Sequence, residues 1–116
     1  MVSALALGTI GGAEASAGQE WMYDGASAGD RTVTGSSKNL TSVSGAVYNA
    51  YPGHAVACVN ALESNGEPAG SSWCTPADVT GSQGVTHPYC GCKPRRGRVT
   101  VSSSSDTTWF TAWQNW

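Results

Sequence analysis

Gly25-Ala-Ser27-Ala-Gly29 has the G-x-S-x-G spacing of a nucleophile elbow. That pattern works only when the serine sits on a tight turn between a buried strand and a helix, beside an oxyanion hole and a placed histidine and acid. No buried-strand sequence precedes Ser27, and 116 residues are too few for the fold that carries such an elbow. The match is read as a product of Gly/Ser-rich sequence. Cys74, His87, Cys90 and Cys92 supply sulfur and nitrogen donors, but zinc is usually gripped by C-x2–4-C pairs, and Cys90-Gly91-Cys92 is tighter than that. The two histidines, His54 and His87, lack a paired carboxylate or free thiol and read as surface or packing residues. These residues predict no catalytic site, no metal and no cofactor. The chain is expected not to be an enzyme.

The four cysteines have a simpler chemistry. An even count in an exported chain reads as disulfides. Pairing Cys90 with Cys92 would close a strained loop across a single residue. The remaining connectivities tie Cys58 and Cys74 each to one member of Cys90-Gly91-Cys92, with Cys58–Cys92 and Cys74–Cys90 preferred. Each bond would contribute about 3 kcal/mol in the chain-entropy view.

Two clusters are candidates for recognition. Lys93-Pro94-Arg95-Arg96-Gly97-Arg98 gathers four of the six basic residues directly after Cys92. A loop constrained by that cysteine and by Pro94 would present its cations with little entropy left to lose on binding. Lys93, Pro94, Arg95, Arg96 and Arg98 are therefore candidate binding residues for an acidic partner, or bait for a protease that prefers basic side chains. Three of the five tryptophans, Trp109, Trp113 and Trp116, fall in the last eight residues, and they suit an interface or a glycan-stacking edge. Asn39-Leu-Thr41 also fits a glycosylation sequon.

The chain begins with a run of apolar and small residues to Ile10 and then Ala15-Ser16-Ala17, the small-x-small pattern of a signal-peptidase site. Residues 1–17 are read as a cleaved export signal, although no basic residue precedes the apolar run, which is too short for a membrane span of ~20 residues. Without Glu14, seven acids face six bases from residue 18 onward, and a balance so near neutral recruits neither nucleic acid nor an anionic membrane. The protein is expected outside the cell, as one small domain in need of cross-links.

The elements that would position these residues follow from periodicity. Residues 18–37, rich in Gly, Ser and Asp, read as a flexible or extended arm, with residues 38–116 as the disulfide-stapled domain. Ala55, Cys58, Val59 and Leu62 recur at i, i+3, i+4 and i+7, which predicts a helix over 54–65, entered at Pro52-Gly53 and left at Asn65-Gly66. Leu40, Val43, Val47 and Tyr51 suit a second helix or a strand, with helix preferred. Four prolines make residues 66–98 a long loop. Residues 98–102 and 109–113 predict a β-hairpin, although Trp109, Trp113 and Trp116 also suit a helix face. The expected fold is α+β: one or two helices packed on a short antiparallel sheet.

The segment His54-Ala-Val-Ala-Cys58-Val-Asn-Ala-Leu62-Glu-Ser-Asn-Gly66-Glu-Pro68, together with Cys92 ahead of Val99-Thr-Val101, resembles the bacterial subtilisin-inhibitor family. That resemblance implies a compact α+β architecture and a secreted inhibitor. It departs from the family in having no cysteine upstream of the expected helix and none after the last strand, and in placing Pro94 at the family's scissile position. Lys93 or Arg95 would then serve as bait. The leading expectation is a secreted, non-catalytic protein-binding module, inhibitor-like, whose partner is an extracellular protease. The alternatives are a subunit of a secreted toxin complex and a cell-wall or carbohydrate binder using Trp109, Trp113 and Trp116.

Overall fold

The computed structural model describes residues 18–27, 30–49, 54–76, 78, 80–89, 93–103 and 109–116, with backbone only at 24, 26 and 27. The expected export signal, residues 1–17, and Cys90 and Cys92 lie outside the described residues. Among those described there is no helix. The strands are β1 (Gln19–Ser27), β2 (Arg31–Thr34), β3 (Lys38–Asn39), β4 (Ser42–Asn49), β5 (Ala55–Leu62), β6 (Trp73–Cys74), β7 (Gly81–Pro88), β8 (Pro94–Ser103) and β9 (Trp109–Asn115). They form two antiparallel sheets, one ordered β1-β9-β4-β7 and the other β2-β8-β5-β6, with β3 continuing the β2 edge along β8. The fold is all-β, which overturns the expected α+β arrangement.

The core between the sheets explains the patterning. Val43 and Val47 of β4 and Phe110 and Ala112 of β9 face Ala55, Ala57 and Val59 of β5 and Val99 and Val101 of β8, all buried. Successive strand residues point to opposite sides, so each contributes alternate residues. Burying one such Val or Phe side chain stabilises by about 1.5–3 kcal/mol.

The expected 54–65 helix is the strand β5. Ala55, Ala57, Val59 and Ala61 alternate and are fully buried. Asn60 and Leu62 on the other side are covered as well, because residues 63–75 fold back beside the strand. Ala69 N–H donates to the Ala61 carbonyl, Thr75 N–H to that of Ala57, and Asn60 Nδ2 to Ser72 Oγ. Burial on both sides fills the sequence with apolar residues at every spacing, and an i, i+3, i+4, i+7 pattern then appears by coincidence. The β-branched Val43 and Val47 likewise lie on a strand, β4, and not on a helix.

Residues 98–102 and 109–113 are strands, as expected, but they do not pair with each other. β8 lies in the second sheet between β5 and the β2/β3 edge, and β9 lies in the first sheet between β1 and β4. The expected N-terminal arm is two strands, one in each sheet. The expected 66–98 loop contains β6, β7 and the start of β8.

The disulfide joins Cys58 to Cys74, directly opposed on β5 and β6, with Cα atoms 4.0 Å apart. Neither cysteine is therefore bonded to the Cys90-Gly91-Cys92 pair as expected. The strand register, absent from the helix reading, is what places the two side by side.

Candidate functional site

On β9, Phe110, Ala112 and Gln114 point into the core, so Trp109, Thr111, Trp113 and Asn115 project from the outer face of the first sheet. Register places their neighbours. Trp109 is opposite Tyr48 of β4, and Tyr48 is opposite Ser82 of β7. One row further, Thr111 faces Ala46, which faces Gly84. At the next row Trp113 lies between Trp21 of β1 and Ser44 of β4.

Trp109 is 51 % exposed and Tyr48 44 %, so both keep half their surface in solvent. Between and below them runs a groove of about 320 Å³. Its floor is low because Ala46, Gly84 and Thr111 are small, and Ser82 and Thr111 put hydroxyls on its walls. At the opposite end of the face, the rings of Trp21 and Trp113 are 5.3 Å apart and tilted by 50°. Hydroxyls and amides fill the remainder: Ser44 Oγ and Thr86 Oγ1 share a 2.8 Å hydrogen bond, and Asn115 Nδ2 donates to Ser42 Oγ at 2.8 Å. Among the described side chains, none that projects from this face carries a charge at neutral pH.

The face is held from behind and from the side. β1 carries register shifts between Trp21 and Tyr23 and between Asp24 and Ala26. At the second, Gly25 adopts φ 64°, the left-handed conformation that bulges of this kind assign to glycine. A Cβ there would sit 3.8 Å from the Trp109 ring, so the bulge backs the indole directly. From the core side, Gln114 is fully buried. Its Oε1 accepts from Gly97 N–H at 3.0 Å, and its Nε2 donates to the Ser36 carbonyl at 3.0 Å. The amide thus ties β9 of the first sheet to β8 of the second. Gly97 lacks a Cβ where one would come within 2.7 Å of Val43 and 3.2 Å of Gln114 Oε1.

A second aromatic group sits where β6 approaches β7. Trp73, 46 % exposed, stacks on His87 at 4.4 Å, and His87 stacks on Tyr89 at 4.2 Å. The His87 nitrogens lie 3.0 Å from the Pro88 carbonyl and 3.2 Å from that of Ser71. The Tyr89 hydroxyl is buried without a hydrogen bond of ordinary geometry. Burial pushes its pKa above the usual 10.0, while the Ala61 backbone and the Arg95 guanidinium pull the other way.

The structure separates most of the residues singled out from sequence. Trp109 and Trp113 share the face just described, but Trp116 does not belong to it. Trp116 lies past the end of β9, where its N–H donates to the Gly18 carbonyl and Lys38 Nζ sits 4.6 Å over its ring. The basic segment is not a loop, since Pro94 to Arg98 begin β8 and pair with β3, β2 and β5. Lys93 precedes that strand and is exposed. Arg95 turns towards Glu63, at 3.4 Å, while Arg96 and Arg98 project from the second sheet, opposite the tryptophan face. Arg95 is thus drawn away from Arg96 and Arg98, which share the outer face of the second sheet. His54 pairs with Asp78 at 3.7 Å. Cys74, spent in its disulfide, offers no thiolate to a metal. Sequence reasoning missed Tyr48 and Trp21, whose only signal was an aromatic residue on an alternating strand.

No family model and no curated protein matches this chain. Among solved structures it is similar to TmCBM61 in complex with beta-1,4-galactotriose, at a TM-score of 0.43 and 10 % identity over 84 % of this chain and 68 % of that one. It is also similar to the enzymatically active domain of tailspike protein 4 of bacteriophage CBA120, at a TM-score of 0.41 and 14 % identity over 72 % of this chain. The chain spans 12 % of the length of that tailspike.

Proposed function

We propose that the chain is a secreted, non-catalytic module that binds a neutral glycan on the outer face of its first sheet. The observation that carries this reading is the pair Trp109 and Tyr48, half exposed, adjacent across β9 and β4, and lining a groove together with Ala46, Gly84 and Thr111. A pyranose has one face rich in C–H bonds and a rim of hydroxyls. An aromatic ring offers the first a flat apolar surface, and Ser82 and Thr111 offer the second hydrogen-bond partners. The described side chains that project here carry no charge, which suits a neutral sugar. Both rings stand on paired strands, so little conformational freedom is lost on binding.

The inhibitor reading loses Arg95 as its bait. A bait must enter a protease cleft as a free extended segment, whereas residues 94–98 are hydrogen-bonded into an interior strand.

The test is depletion from solution by insoluble neutral polysaccharides of differing linkage, compared with the Trp109→Ala variant. Retention of the wild-type protein by at least one polysaccharide, with loss on Trp109→Ala, supports the reading. Equal retention of both, or retention of neither across the panel, overturns it.

A further inference from the structure

The two aromatic pairs on the outer face are not equivalent, and their placement selects a length and direction of ligand. Trp109 and Tyr48 straddle β9 and β4, whereas Trp21 and Trp113 straddle β1 and β9. Trp109 and Trp113 are four residues apart on one strand, and at ~3.3 Å per residue that separates them by roughly 13 Å. On β9, β4 and β7 the row between them carries Thr111, Ala46 and Gly84, all small.

Resting on the glycan-binding reading above, we infer that the face holds two aromatic subsites in line along β9. The second is formed by Trp113 with Trp21, so the ligand class is an extended neutral polysaccharide bound through an internal stretch longer than a disaccharide. Three observations carry this. The distance between the pairs exceeds what one or two sugar rings can bridge. The described floor between them is built of the small residues Thr111, Ala46 and Gly84, low enough for a chain laid over β9 and β4. The hydroxyl pair Ser44–Thr86 flanks the second subsite as Ser82 flanks the first, placing hydroxyls on the β7 side at both ends of the track. A module reading chain ends would instead need a wall closing one end of the groove. At the Trp113 end none of the described side chains forms one, since the next row carries Gln19, Asn115, Ser42 and Pro88.

The track explains why Trp109 and Trp113 are an i, i+4 pair on a strand. That spacing returns a side chain to the same face after skipping one outward residue, Thr111, and Thr111 is the floor. The ring of Trp21 leans on that of Trp113 at 5.3 Å. It fixes the orientation of Trp113 as the Gly25 bulge fixes that of Trp109.

The experiment is calorimetric titration with a ladder of purified oligosaccharides, from the disaccharide upward, cut from whichever neutral polysaccharide retains the wild-type protein. Wild-type affinity is expected to climb by about tenfold as the ligand grows long enough to reach Trp113, and then to level off. In Trp113→Ala the climb is lost, and the longest oligosaccharide binds about tenfold more weakly than to wild type. Trp113→Leu keeps apolar volume beside Trp21 but no flat ring, and it should behave as Trp113→Ala while melting close to wild type. A climb that survives both substitutions, an affinity flat from the disaccharide onward, or a preference for oligosaccharides over the intact polymer overturns the inference. Loss of all binding in Trp109→Ala with a flat ladder in wild type would overturn the second subsite and leave the first standing.

Discussion

Replacing Gln114 with leucine should destabilise the protein by about 2 kcal/mol. The side chain is fully buried, and its Oε1 is the acceptor for the buried Gly97 N–H, at 3.0 Å. Leucine has similar bulk but cannot accept, so that N–H is stranded between the sheets, at a cost of ~1–3 kcal/mol. The other bond, from Nε2 to the Ser36 carbonyl, is less costly to lose because Ser36 is exposed and its carbonyl regains water. A domain of this size shifts its melting temperature by about 4–8 °C per kcal/mol, so Gln114→Leu should melt roughly 8–16 °C below wild type. The assay is thermal unfolding followed by circular dichroism, with urea unfolding to confirm that the midpoint moves while the slope does not. Gln114→Glu sharpens the test. It keeps an acceptor for Gly97 but loses the donor to Ser36, and it buries a carboxylate near Glu20, whose Oε2 lies 3.4 Å from Gln114 Nε2. It should be at least as destabilising as leucine at neutral pH and recover as the pH falls and the new carboxyl protonates. A Gln114→Leu protein melting within about 2 °C of wild type would refute the idea that this amide links the sheets.

Other outcomes follow from single features. Replacing Cys58 and Cys74 together by serine should lower stability by about 3 kcal/mol, measured as the difference in unfolding free energy from the oxidised protein. Gly25→Val forces a β-branched residue into a left-handed conformation against the Trp109 indole, so it should cost ~1–3 kcal/mol and weaken glycan binding several-fold by titration. Tyr89 holds its proton more tightly folded than unfolded, since burial raises its pKa above 10.0. The folded state then carries more protons than the unfolded state above pH 10, so stability falls as pH rises through that range. Tyr89→Phe should flatten that decline in alkaline urea titrations. Arg95 and Glu63, 3.4 Å apart and partly exposed, should contribute no more than about 1 kcal/mol in a double-mutant cycle.

The sequence made some of this legible and hid the rest for physical reasons. Val99-Thr-Val101 and Trp109-Phe-Thr-Ala-Trp113 declare strands through β-branched and aromatic residues, and the structure has them. Their assignment to different sheets rests on pairing with strands distant in sequence, which residue type does not encode. β5 misleads because apolar residues line both its sides, so its period-2 and period-3.6 patterns coincide from Ala55 to Leu62. The eleven residues between Pro52-Gly53 and Asn65-Gly66 are long enough for a helix, so length did not arbitrate against one. The cysteine pairing could not precede the fold, because Cys58 and Cys74 meet only through β5–β6 register. Of the site, Trp109 and Trp113 were legible as a tryptophan-rich end of the chain. Tyr48 and Trp21 were not, because only the β4–β9 and β1–β9 registers bring them to the same face.

The most direct test of the central claim is amide and indole chemical-shift mapping of the isotope-labelled protein during titration with a soluble neutral oligosaccharide that it binds. The largest shifts are expected at Trp109 and Trp113 indole N–H groups and at the backbones of Ala46, Tyr48, Gly84 and Thr111, with Arg96, Arg98, Thr100 and Trp116 unmoved. Shifts centred on β8, on Trp116 or on the Trp73–His87–Tyr89 stack would place the ligand elsewhere and contradict the account.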